Sequence, residues 1–113
     1  MKTADTPTYV YMLECVFDSA ALEADWNQWY DQVHIPLMLS VPGVMGCVRY
    51  ARLDTPGSYL AVYELSSPEV LEHPRYLEVR GWGRWEPNMR SWSRTMARRQ
   101  GERVTFFAPG IDA

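Results

Sequence analysis

The chain has 113 residues, 47% of them apolar and 22% charged, and a formal net charge of -3; it is long enough for one hydrophobic core and too short for two, so residues 1–113 are read as a single domain. That composition is neither a disordered nor a membrane balance, and the acidic excess argues against a nucleic-acid role, since a phosphate-binding domain carries a basic surplus. No apolar run is long enough to span a bilayer and no signal-peptide pattern is present, so a cytoplasmic protein with no membrane partner is expected.

Residues 1–8 and 109–113 carry no periodic pattern and read as loose termini. Residues 9–17, YVYMLECVF, read as a strand that is apolar on both faces except at Glu14; such a strand must be covered on both. Asp18 or Ser19 is placed to cap a long amphipathic helix. At about 100° per residue, Leu22, Trp26, Trp29, Tyr30, Val33 and Leu37 fall on its apolar stripe. Asn27, Asp31, His34 and Met38 run along one flank. His34 thus sits between core and water, three residues after a carboxylate that can touch it. It can be a packed core histidine or a proton-transfer group facing a cavity. Pro36 removes a donor and kinks or restarts the helix after His34, and Pro42-Gly43 ends it.

Residues 44–53 and 58–65 read as two strands of a hairpin, joined by Asp54, Thr55, Pro56 and Gly57. The second, SYLAVYEL, is again apolar on both faces and is expected to be central. Ser67-Pro68-Glu69 starts a second helix, interrupted by His73-Pro74, resuming over 75–80 and stopping at Gly81-Trp82-Gly83. Trp85, Met89, Trp92 and Met96 follow helical spacing, so a further helix is expected to begin near Pro87, with Arg90, Arg94, Arg98 and Arg99 on or after its solvated side. Residues 102–108, ERVTFFA, are expected to form the last strand. Glu14 and Glu64 are strand carboxylates that need a partner or a proton, with Arg49 or Arg52 within reach. Cys15 and Cys47 lie in strands without motif spacing and read as reduced thiols. The five tryptophans are an excess in so short a chain, and imply a deep aromatic lining of a core or a pocket.

The order β, α, β, β, α, β is that of the ferredoxin-like α+β fold, a four-stranded antiparallel sheet with helices on one face. The second apolar face of the sheet then needs a cover, and a second copy packed face to face provides one, so a homodimer is expected.

The run WNQWYDQVHIPLMLSVPG (Trp26 to Gly43), followed by VRYARL, YLAVYEL and SPEVLEHPRYL, resembles the EthD-like branch of the dimeric α+β barrel superfamily over roughly residues 9–107. That resemblance implies the barrel fold, a homodimer, and a ligand cavity between the helices and the concave sheet into which His34 looks. It leaves the reaction open, because the superfamily includes cofactor-free monooxygenases, cyclases, isomerases, dehydratases and haem-degrading proteins. His73 and Tyr76 are similar to the histidine and tyrosine used by some of its cyclases.

No Walker loop, Rossmann glycine pattern, nucleophile elbow or zinc spacing is present. With only two histidines, no metal site is expected, and the polar and tryptophan pattern of the haem-degrading members is not matched; no cofactor is expected. The reading is a cofactor-independent enzyme acting on a small hydrophobic or aromatic carbonyl compound by general acid/base proton transfer, as an isomerase, cyclase or lyase or, with oxygen, an oxygenase. His34 would be the acid/base and Asp31 its orienter. Tyr30, His73 or Tyr76 would be the hydrogen-bonding partner, and Trp26, Trp29, Met38, Tyr11, Tyr63, Trp82 and Trp85 would contact the substrate. The alternative is a non-catalytic protein of a catabolic or biosynthetic pathway that only binds such a molecule.

Overall fold

The computed structural model describes residues 9–101. Strand β1 (Tyr9–Phe17) lies inside a four-stranded antiparallel sheet with β2 (Val44–Ala51), β3 (Ser58–Leu65) and β4 (Met89–Arg98), in the order β2-β3-β1-β4. Its register pairs Tyr11 with Tyr63, Leu13 with Ala61 and Cys15 with Tyr59. Those side chains share the face that the helices cover, where Tyr11, Leu13, Cys15, Phe17, Ala61, Tyr63 and Leu65 form the sheet half of the core. The other face carries Val10, Met12, Val16, Val48, Leu60 and Val62, as alternation requires. Met12 and Val48 remain 36% and 47% exposed there. The ferredoxin-like architecture is as expected.

The long helix is built in three pieces: α1 (Glu23–Trp29), a π-helical turn (Tyr30–His34) and α2 (Ile35–Leu39). Its start is later than expected, with Leu22 rather than Asp18 or Ser19 at the cap position. Pro36 explains the wide turn, because it has no N–H to offer the carbonyl four residues back. The Ile35 N–H reaches instead to the Tyr30 carbonyl, a five-residue step. The added residue rotates everything beyond it by about 100°. Trp26, Tyr30, His34 and Met38 therefore line up and are buried, whereas Val33 and Leu37, expected on the apolar stripe, are 45% and 37% exposed.

The β2–β3 hairpin matches expectation, β2 being two residues shorter. Gly57 at its turn has φ +80, and a Cβ there would lie 2.5 Å from the Phe17 carbonyl oxygen; its own carbonyl accepts the Phe17 N–H at 2.8 Å. A 3-10 turn (Pro68–Glu72) and α3 (Pro74–Val79) follow, divided at His73-Pro74. Glu14 is paired with Arg52 at 2.6 Å, and both cysteines are free thiols.

The expected helix from Pro87 is absent. A 3-10 turn (Gly83–Asn88) leads straight into β4, which pairs along the other edge of β1. The tertiary demand of that edge overrides the helical spacing. A register shift opposite Val16 and Phe17 explains the spacing: the bulge changes strand parity, so Met89 before it and Trp92, Arg94 and Met96 after it all face the helices. The strand expected over 102–108 lies outside the described residues.

Candidate functional site: a cavity between helices and sheet

A cavity of about 350 Å³ opens between the helical layer and the concave sheet, within the size range of small-molecule sites. Tyr11, Leu13, Tyr63, Trp92 and Arg94 come from the sheet. His34 and Met38 come from the π-helical turn and α2, and Tyr76, Arg80, Gly81, Trp82 and Glu86 from α3 and the segment after it.

His34 is 5% exposed. Trp29 stacks on its ring (centroids 5.1 Å apart, 20° between planes), and the Tyr30 ring meets it edge-on at 4.9 Å. The imidazole makes no hydrogen bond to any described residue. Burial, aided by the Arg49 charge, pushes its pKa down to about 4. At neutral pH it is therefore an uncharged imidazole, able to accept a proton.

Arg49 reaches from β2 beneath the helix, where it donates to Asp31 Oδ1 at 2.9 Å and Asn27 Oδ1 at 2.8 Å. Its guanidinium lies over the Tyr30 ring at 4.2 Å and over those of Trp26 and Tyr59 at 5.2 Å each. Asp31 is thus engaged by Arg49 and not by His34. Its helical flank, which made contact with His34 plausible, is turned outward by the π turn, and its side chain is 58% exposed.

Across the cavity the Arg94 guanidinium acts on the hydroxyls of Tyr11 and Tyr76. Burial raises the Tyr11 phenol far above its ordinary value, with Tyr76 adding and Arg94 opposing, so Tyr11 stays protonated as a donor. Tyr63 and Tyr30 share a hydroxyl–hydroxyl bond of 2.7 Å, and burial raises both phenols. Burial also lifts the Cys47 thiol to about 11, which makes it a poor nucleophile.

The cavity brings together six residues expected at a site: His34, Met38, Tyr11, Tyr63, Tyr76 and Trp82. Tyr30 stands one contact behind, through Tyr63 and His34. Trp29 backs His34, while Trp26 and Trp85 are buried in the core. His73 is exposed and caps α3, its Nδ1 accepting the Arg75 N–H at 2.9 Å; it lines a separate shallow groove with Glu69 and Glu72. Leu13, Arg80, Gly81, Glu86, Trp92 and Arg94 were not foreseen. Strand parity on either side of a bulge would have found Trp92 and Arg94; the other polar positions lie in an aperiodic connection. Among the described residues no cluster of three metal-ligating side chains occurs, and no helix is long and apolar enough to cross a membrane.

No family model and no curated protein matches the sequence. Solved structures match the fold. A dimeric ferredoxin-like protein from an uncultured marine organism is 16% identical, with a TM-score of 0.72 over 94% of this chain and 99% of its own. The ActVA-Orf6 monooxygenase of Streptomyces coelicolor, solved with Nanaomycin D, is 14% identical, with a TM-score of 0.67 over 88% of this chain and 94% of its own. SnoaB of Streptomyces nogalater, a cofactor-independent oxygenase, is 11% identical, with a TM-score of 0.66 over 86% and 97%. The chain shares with them the fold of the dimeric α+β barrels.

Proposed function

We propose that this protein is a cofactor-independent enzyme that forms and uses the anion of a small aromatic carbonyl compound. The observation that carries this reading is the pairing, across one cavity, of an uncharged His34, which has no hydrogen bond to any described residue, with Tyr11, Tyr76 and Arg94. His34 takes a proton from an acidic phenol or from carbon next to a carbonyl. The electron pair moves onto the oxygen, where the Tyr hydroxyls donate to it and Arg94 supplies a positive field. Burial and the Arg49 charge disfavour imidazolium, and an enolate or phenolate formed beside His34 provides the counter-charge that relieves this. Trp82, Trp92, Leu13 and Met38 give the apolar walls suited to a flat ring system.

The anion then has two fates. Returning the proton to another atom gives isomerisation, cyclisation or elimination, whereas reaction with dioxygen gives oxygenation. The two Streptomyces neighbours, named as a monooxygenase and a cofactor-independent oxygenase, favour oxygenation. Support for the EthD-like branch comes from the sequence alone, from the Trp26 to Gly43 motif and the runs VRYARL, YLAVYEL and SPEVLEHPRYL after it, and the active form is a homodimer joined across the open sheet face.

A panel of hydroxylated naphthalene and anthracene ketones tests the reading. Substrates should quench tryptophan fluorescence, exchange a carbon-bound hydrogen next to the carbonyl with deuterated solvent under argon and consume oxygen in air. His34→Ala should lower the exchange rate about 10² to 10⁴-fold. Binding without exchange, or exchange indifferent to His34→Ala, would leave a sequestering protein instead.

A further inference from the structure

We propose that the cavity holds an anion subsite at Arg80, so that the substrate is an aromatic carbonyl compound that also carries a carboxylate; this substrate class rests on the enolate chemistry proposed for the same cavity. Most of the arginines nearby are already engaged. Arg49, Arg52 and Arg75 pair with carboxylates, Arg84 lies over the Trp85 ring, and Arg94 faces the tyrosine hydroxyls. Arg80 lines the cavity, yet among the described residues its guanidinium has no hydrogen bond, ion pair or ring contact.

Nor does its side chain serve as a helix cap. The Arg80 backbone N–H closes the last turn of α3 on the Tyr76 carbonyl at 2.9 Å, but the guanidinium bonds no carbonyl at that end. The backbone then leaves at φ -67, ψ 161 into Gly81 at φ +102. A Cβ on Gly81, itself a lining residue, would meet nothing within 4 Å. Open space therefore lies beside Arg80 on the cavity wall.

Spacing and charge indicate what fills that space. Tyr76 and Arg80 are four residues apart and share one face of α3, with their Cβ atoms roughly 5–6 Å apart. A ligand whose carbonyl oxygen takes the Tyr11, Tyr76 and Arg94 donors reaches Arg80 with a group about one helical turn away. The planar guanidinium fork suits a carboxylate. Arg80 and Arg94 against Glu86, the third charged residue of the lining, leave one positive charge in excess while His34 is neutral. One carboxylate balances it, whereas the greater charge of a phosphate would set an uncompensated negative charge beside Glu86. Proton transfer to His34 forms imidazolium and enolate together, so the balance holds through the reaction. The approach is biased the same way: residues 80–99 hold Arg80, Arg84, Arg90, Arg94, Arg98 and Arg99 against Glu86 alone, in a chain of net charge -3. Such a basic region draws an anion toward the cavity.

Two probes that differ in one group test the subsite: a hydroxynaphthyl ketone whose side chain ends, two methylenes beyond the carbonyl, in a carboxylate, and the same ketone ending in a carboxamide. Their affinities are read under argon by quenching of tryptophan fluorescence. The wild type should bind the acid about tenfold more tightly than the amide, the worth of a charge-assisted hydrogen bond. Arg80→Gln should bring that ratio close to one, and Arg80→Lys should restore part of it. Arg94→Gln should weaken both probes and keep the ratio. Equal affinities in the wild type, or an acid preference that survives Arg80→Gln, would overturn the subsite. Acid preference without exchange of the hydrogens next to the carbonyl would sink the enolate reading and leave a protein that binds such acids, whereas exchange without acid preference would sink the subsite alone.

Discussion

Acid should destabilise this protein through His34, by an amount that follows from its burial. The folded ring titrates at about 4 against an ordinary 6.5. Below 6.5 the unfolded chain binds a proton that the folded chain refuses, so stability is intact above 6.5 and declines as pH falls toward 4. At about 1.4 kcal/mol per pH unit, the gap between 6.5 and about 4 amounts to roughly 3 kcal/mol, a large part of the total for a domain whose whole stability is of order 5–15 kcal/mol. Urea unfolding of the wild type and of His34→Gln across that window, at one protein concentration, isolates the effect. Titrating carboxylates act on both proteins and cancel in the difference, while Gln has no proton to refuse. The two stabilities should diverge on acidification, the wild type losing about 3 kcal/mol more. Parallel curves, or a His34 imidazole resonance with its midpoint near 6.5, would refute the claim that the ring is held desolvated beside Arg49.

Two further outcomes are expected. Arg49→Gln removes the cation that opposes protonation of His34, so the His34 midpoint should rise above about 4, read by the same resonance; a fall would mean that Arg49 acts through packing instead. Light scattering at micromolar concentration should give twice the chain mass of 13.1 kDa, and Val62→Glu should shift it toward the monomer by burying an unpartnered charge worth several kcal/mol; a wild-type monomer would overturn the dimer.

Three of the four strands were legible, β4 being read as a helix, because strand alternation is a local signal that tertiary packing reinforces. Tyr9 to Phe17 and Ser58 to Leu65 are apolar on both faces, which requires a central position, and β1 and β3 occupy the middle of the sheet. The hairpin turn was legible from Pro56-Gly57 for the same kind of reason. Glu14 found Arg52, one of the two candidates named from the sequence.

The cavity was less legible because each wall depends on a break in periodicity. A strict period of 3.6 puts Val33 and Leu37 inside and leaves His34 and Met38 on the flank, whereas the π turn forced by Pro36 reverses this. On the opposite wall, Met89 and Trp92 are three apart and Trp92 and Met96 four apart, which is helical arithmetic; a strand meets it only by changing parity at a bulge. Neither irregularity is an accident of packing. Each lies where one residue has been added to a regular element, and each added residue turns a titratable or cationic side chain toward the same space, His34 from the helix and Arg94 from the sheet. π turns and bulges recur at functional sites for this reason. Where two such breaks converge on one cavity, the departure from regular pattern marks it as the candidate site.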